Sequence, residues 1–205
     1  MNEEAHNSLR LEIRDMMSEK RYLHTLGVER EMRRMAPIFA PNEVERAALA
    51  GLLHDVTKAW KSEEQIAYCL QNGLAVTEEE KAAPQILHAK TAAHYIKQKW
   101  SLLVDDGILS AIAKHTTGSV EMTTLDKMLY IADFIEEGRT YDSCLKLREE
   151  FWSGAEEAKD KERFLDEMLL RAYTLSLEAL VRMKAVISPE TVLAKEALAK
   201  LLAQE

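Results

Sequence analysis

The sequence predicts an all-α fold, and three observations carry that expectation. Ala, Leu, Glu, Lys and Met are abundant, only 7 Gly and 4 Pro interrupt 205 residues, and apolar residues recur at helical spacing along most of the chain. A chain of this length is enough for one well-packed domain and cramped for two, so one domain spanning residues 1–205 is expected.

Each element has a local reason. Leu9, Ile13, Met16 and Met17 alternate with charges over residues 7–19, and Leu26, Met32, Met35, Ile38 and Phe39 mark an amphipathic helix over 22–39. Pro41 and Asn42 supply a start signal for a helix over 43–53, whose Ala/Leu content favours it. Ser62 reads as an N-cap with Gln65 as its capping-box partner, and Asn72-Gly73 stops that helix. Thr77 opens another. Pro84 breaks the chain before His88, and residues 91–99 are then helical. A helix over 105–115 runs into His115, after which Gly118 allows a turn. Over 124–137, Leu125, Leu129 and Asp133 fall nearly in line, so Asp133 shares the apolar face, where it needs a cation. A buried Arg–Asp pair would meet that need as well as a metal would. Residues 155–184 form one long amphipathic helix, and Ser188 caps a last helix with Pro189 at its first position.

The formal charge of −8 gives no general attraction for nucleic acid or an anionic membrane, so neither is expected as a partner, and a polyanionic substrate would need a local cluster of cations. Cys69 and Cys144 form no CxxC motif or disulfide framework and read as reduced structural thiols. The first six residues are acidic and polar, without a basic or apolar leader segment, and no apolar run reaches membrane-spanning length; a cytoplasmic protein is expected. The arginines between Arg30 and Arg34 read as a solvated helix face, Asp126 and Lys127 as the polar side of the Asp133 helix. His6 and His94 receive no function.

Chemistry concentrates at the pair His54-Asp55, which closes the apolar run 47–53. Imidazole and carboxylate together suit a divalent first-row metal. A helix-end aspartate beside a buried histidine would give the same dipeptide, so the pair acquires weight from its company: His24 upstream, then His88, His115 and Asp133, each in an apolar or helix-like context. Lys58 lies about one turn beyond Asp55, within reach of anions near a metal, although a solvent-facing lysine fits the spacing equally.

The local words Arg21-Tyr22-Leu23-His24-Thr25, His54-Asp55-Val56-Thr57-Lys58, Leu87-His88-Ala89, Ala113-Lys114-His115-Thr116-Thr117-Gly118 and Leu129-Tyr130-Ile131-Ala132-Asp133-Phe134-Ile135-Glu136 resemble, in this order, the YqeK family of HD-domain phosphohydrolases, over residues 9–184. The resemblance implies an HD-type helical bundle with additional C-terminal helices, residues 185–205 forming an extension. It implies a metal held by His24, His54, Asp55 and Asp133, with iron favoured and manganese, cobalt or zinc open. It also implies hydrolysis of a dinucleoside tetraphosphate, diadenosine tetraphosphate in first place, to two ADP by a metal-activated water. One departure is visible. The family often has Glu-Pro-x-Arg after the last aspartate, where this chain reads Glu136-Glu137-Gly138-Arg139; Arg139 keeps its place and the shape of the turn is in doubt.

One metal is the preferred count, with Asp55, Lys58, His88 and His115 in catalysis. Lys58, His88, His115, Thr116 and Arg139 then contact substrate phosphate: the hydroxyls and amides after His115 suit phosphate oxygens, and an arginine offers a bidentate grip. His88 and His115 could instead complete a second metal site with Asp55 bridging, and His88 alone could be a packed histidine. Another HD-class nucleotide phosphohydrolase and a non-catalytic nucleotide-sensing module use the same ligands. A homodimer is left open.

Overall fold

The computed structural model describes residues 3–204, and among them the chain is helical throughout, without strands. Eleven α-helices follow one another among the described residues: α1 (Glu3–Arg14), α2 (Glu19–Phe39), α3 (Val44–Leu53), α4 (Ser62–Gln71), α5 (Glu78–Ala82), α6 (Leu87–Lys99), α7 (Asp106–Lys114), α8 (Thr124–Ile135), α9 (Asp142–Gly154), α10 (Lys161–Arg182) and α11 (Pro189–Gln204). No helix among the described residues is long and apolar enough to cross a membrane.

The core lies where α2, α3, α7 and α8 meet, and it buries Val28, Met32, Leu52, Leu53, Ile112 and Leu129 completely. Gly51 permits the closest of these packings, since a Cβ there would lie 2.9 Å from the Glu29 Cα of α2. The outer helices α10 and α11 pack together, and α10 also lies on α8, where Leu169, Ala172 and Tyr173 are buried. Gly118 takes a left-handed backbone (φ +70°), and a Cβ there would fall 2.0 Å from the Tyr173 hydroxyl, so glycine serves both the turn after His115 and the docking of α10.

Several local expectations change in the fold. The first helix stops at Arg14, and Ser18 caps α2 by accepting from the Arg21 amide. Ser62 is the first residue of α4, not its cap; the Lys61 amide donates to Glu64, while Gln65 is buried and donates to the Thr57 carbonyl. Pro84 opens a short 3-10 turn (Pro84–Ile86) that leads straight into α6, so His88 sits in the first helical turn. The helix expected from residue 155 begins only at Lys161, capped by Asp160, and α9 precedes it. Cys144, Leu147 and Phe151 bury a narrow seam of α9, a three-residue signal that did not stand out from its charged neighbours.

One group read as solvated is not, and a second is solvated but paired. Asp126 is fully buried: it accepts from the Thr123 amide at the start of α8 and from Lys114 Nζ at 2.9 Å, while Lys127 pairs with the buried Asp166. On α2, Arg33 binds Glu29 and Glu45, and the buried Glu29 also binds Arg10 and His6. Arg34 lies over the Trp152 ring at 3.5 Å.

Candidate metal centre

Six residues singled out in the sequence converge on one point although five different helices carry them. His24 comes from α2, His54 and Asp55 follow the last residue of α3, His88 begins α6, His115 follows α7, and Asp133 lies in the last turn of α8. The helix ends explain the aim. His54, His88 and His115 each donate Nδ1–H to the carbonyl three residues earlier: Gly51 at 2.7 Å, Gln85 at 2.6 Å and Ile112 at 2.7 Å. His24 donates its Nδ1–H to Glu136 at 3.1 Å. Fixing Nδ1 as the donor leaves the Nε2 lone pair of each ring facing inward, the arrangement a metal-binding histidine requires.

Asp55 sits at the centre and divides the cluster. Its Oδ2 lies 3.4 Å from His54 Nε2 and 3.7 Å from His24 Nε2, and its Oδ1 lies 3.3 Å from His88 Nε2 and 3.5 Å from His115 Nε2. Asp133 Oδ1 is 3.0 Å from His24 Nε2. Two overlapping sets, His24 with His54 and Asp133, and His54 with Asp55 and His115, have donor atoms within 4.8 Å of one another and could each hold a metal ion. The fit has an independent mark: His54 Nε2 and Asp55 Oδ1 are buried without a hydrogen-bond partner, and buried polar atoms are rarely left so.

Charge is managed around this point. Burial pushes the Asp55 carboxyl up, but His54, His115 and His88 overcome it and hold the group well below the usual carboxylate range. Asp133 is likewise held low against burial by Arg139 and His24. For His24, burial opposes the charged ring, yet Asp133 and Glu136 prevail and raise it to about 9. His88 goes the other way: burial dominates and lowers it to about 4, so the ring is neutral at pH 7. Burial also lowers Lys58, whose Nζ lies 3.1 Å from His88 Nε2.

A pocket of about 430 Å³ opens over the cluster, with Asp55, Asp133, Lys58, Thr116 and Arg139 in its wall. Arg139 donates to Asp133 Oδ1 at 2.7 Å, so an Arg–Asp pair, half-buried, and the cluster coexist. The turn that lacks the family's proline is closed by the Arg139 amide donating to the Glu136 carbonyl at 2.9 Å. Thr116 Oγ1 is 3.0 Å from His88 Nε2. Two participants had no assigned role in the sequence reading. Arg21 donates to Asp55 Oδ2 at 2.7 Å, and Glu136, nearly fully buried, orients His24. Each stands three positions from a cluster residue on the same helix or its end, Arg21 before His24 and Glu136 after Asp133, and that spacing was the available signal.

A helical frame that gathers histidine nitrogens and two carboxylates at helix ends, beneath a cationic pocket, defines a helical metal-dependent hydrolase of the HD type. The chain belongs to the HD domain family, whose model matches residues 21–138, a span that contains all six converging residues. Within that family its likeness is to the YqeK group. It is 26% identical over 181 residues to the symmetrical bis(5'-nucleosyl)-tetraphosphatase of Bacillus subtilis (strain 168), covering 88% of this chain and 90% of that one. It is 32% identical over 142 residues to the protein of the same description from Staphylococcus aureus (strain NCTC 8325 / PS 47), covering 66% and 69%. Among solved structures it resembles a predicted HD superfamily hydrolase involved in NAD metabolism from Clostridium acetobutylicum, with a TM-score of 0.83, 29% identity and coverage of 95% and 97%.

Proposed function

We propose that this chain hydrolyses dinucleoside tetraphosphates, diadenosine tetraphosphate first among them, to two nucleoside diphosphates. The observation that carries the reading is the convergence of His24, His54, Asp55 and Asp133, with buried donor atoms left unpartnered, beside a pocket lined by Asp55 and Asp133 and by the cations Arg21, Lys58, Arg139 and Arg182. Relatives described as symmetrical tetraphosphatases support the substrate.

His24, His54, Asp55 and Asp133 would hold the metal, iron by family likeness, with manganese, cobalt or zinc accepted by the same donors. Such an ion supplies a lowered pKa for water and neutralises charge on the transferring phosphoryl group. The remaining work falls to the chain. Arg21 donates to Asp55 and Arg139 holds Asp133 ionised, both turn their other N–H donors to phosphate oxygens, and Lys58 adds a compact positive charge. In the reaction the water oxygen bonds to one inner phosphorus and releases its proton to solvent, the central P–O bond breaks, and its electron pair departs with the other nucleoside diphosphate. Because α10 and α11 pack on the bundle and α10 residues line the pocket, we treat residues 1–205 as one domain. Free, buried Cys69 and Cys144 and a nucleotide substrate fit a cytoplasmic setting.

One observation favours a second reading of the metal count. With Nδ1–H committed to carbonyls, His88 and His115 face each other with Nε2 atoms 3.0 Å apart, both near Asp55 Oδ1. With its ring neutral and its Nδ1–H so committed, His88 cannot donate to phosphate, which weighs against the phosphate contact read for it in the sequence. Together with Asp55 the two rings would hold a second cation better. Metal analysis of loaded protein, with product chromatography on diadenosine tetraphosphate and other nucleotides, tests both points. ADP as product supports the proposal, and two ions per chain supports the second count. No turnover by fully loaded protein would leave a nucleotide-sensing module.

A further inference from the structure

The pocket over the cluster has a larger neighbour. A second groove of about 1010 Å³ lies between the first turns of α2 and the turn joining α8 to α9, and Arg21, Arg139 and Tyr141 form a wall common to both. The cluster is reached from either side: Asp55 and Asp133 line the first cavity, and His24 lines the second. A group held at the cluster therefore stands between two cavities. That is where the central P–O–P link of a dinucleoside tetraphosphate must stand if it is cut symmetrically, because each half then carries a nucleoside and two phosphates away from the metal in opposite directions.

The lining of the second groove suits such a half. Leu23 is 56% exposed and Tyr141 70% exposed, two apolar faces open to solvent beside a site for a polyanion. The acids in this groove are already engaged: Glu136 accepts from His24 and from the Gly138 amide, and Glu137 pairs with Arg30. Lys20 and Arg21 add positive charge at its α2 side. An aromatic ring and an aliphatic side chain beside cations are the usual means of holding a base and its phosphates.

We propose that this groove binds the second nucleoside diphosphate half of the substrate, its base against Leu23 and Tyr141 and its phosphates across the Arg21–Arg139 wall. The inference rests on the tetraphosphate reading and deepens it. It requires that a second nucleoside contribute to recognition and that each chain bind two ADP molecules.

The test compares diadenosine tetraphosphate with adenosine 5′-tetraphosphate, which has the same phosphate chain and one nucleoside, on metal-loaded full-length protein and on Leu23→Asp and Lys20→Glu. Wild-type protein should prefer the dinucleotide in kcat/KM, and the preference should fall about tenfold in Leu23→Asp, the loss of one base contact. Lys20→Glu should lower it in the same direction. Calorimetric titration with ADP should give two sites per wild-type chain and one in Leu23→Asp. An unchanged preference with a single ADP site in wild type overturns the inference and leaves the tetraphosphate reading standing. Failure of loaded wild-type protein to hydrolyse the dinucleotide overturns that reading, and this inference with it.

Discussion

His24 and Glu136 are 112 positions apart in the chain, and in the fold His24 Nδ1 donates to Glu136 Oε1 at 3.1 Å. The bond turns His24 Nε2 toward Asp133 and Asp55. Gly27, one turn after His24 on α2, is what allows it: a Cβ there would lie 2.2 Å from Glu136 Oε2. Glu136 is in turn tied to the Gly138 amide at 2.6 Å, so the α8–α9 turn, α2 and the cluster are fixed by one carboxylate.

Glu136→Gln and Gly27→Ala should therefore weaken the metal centre without touching a ligand. Loss of a group that orients a ligating histidine costs about 10–100-fold in metal affinity. Competitive titration with a chromophoric chelator, beside circular dichroism to follow helix content, measures the effect. Undiminished affinity in both variants would show that His24 is aimed by something other than Glu136.

Metal uptake should strengthen as pH rises. In the metal-free fold, Asp133 and Glu136 outweigh burial and raise His24 from 6.5 to about 9, so at neutral pH the ring is charged. An ion binds the neutral ring and must displace that proton, so affinity should fall by up to about tenfold per pH unit below 9. The same shift makes the charge on His24 stabilise the metal-free protein fully below pH 6.5, with that stabilisation lost as pH rises through about 9. Potentiometric titration in weak buffer should detect roughly one proton released per ion at pH 7 from this site. Uptake without proton release would remove His24 from the ligand set.

His54→Ala and Asp55→Ala should lose bound metal and nearly all hydrolysis while the helices persist. Both residues stand just past the end of α3, whose run from Ala47 to Leu53 is buried on its own account. Elemental analysis and far-ultraviolet circular dichroism separate the two effects. Full metal content in an active variant would sink the assignment.

Lys58→Ala and Arg139→Ala should keep the metal and lose kcat/KM, since one charge-assisted contact contributes about 1.5–3 kcal/mol. Arg139 also holds Asp133 ionised, so its variant should show the steeper loss of activity toward acid pH. If either variant were emptied of metal with phosphate affinity intact, its role would be structural support of the cluster.

Most helix positions, α9 and the start of α10 excepted, and the converging residues were readable in the sequence because each rests on a short-range pattern. The Leu125–Leu129–Asp133 line placed Asp133 toward the core side of α8, and the histidines stood in distinctive words. Arg21 and Glu136 went unassigned because their partners are distant in sequence: Arg21 meets Asp55 and Glu136 meets His24 only after α2, α3 and α8 have packed. The burial of Asp126 depends on Lys114 in another helix, and the fixed tautomers of His54, His88 and His115 depend on where each helix begins or ends. Patterns in sequence name the donors, whereas packing decides which atom each donor presents.

Regiochemistry offers the most direct check on the chemistry. With diadenosine tetraphosphate in ¹⁸O-labelled water, solvent oxygen should appear on the terminal phosphate of one ADP per turnover, and ADP should be the only nucleotide product. The reason is positional. Attack at an inner phosphorus of a symmetric chain leaves two phosphates on each half, and a cluster gathered from five helices fixes which phosphorus meets the water. Mass spectrometry of the products reads both the label and the cut. AMP plus ATP as main products would mean that the outer linkage faces the cluster, leaving a metal-dependent hydrolase with an asymmetric register. An ADP product carrying more than one solvent oxygen would point to reversible cleavage before release, since a single irreversible attack introduces only one.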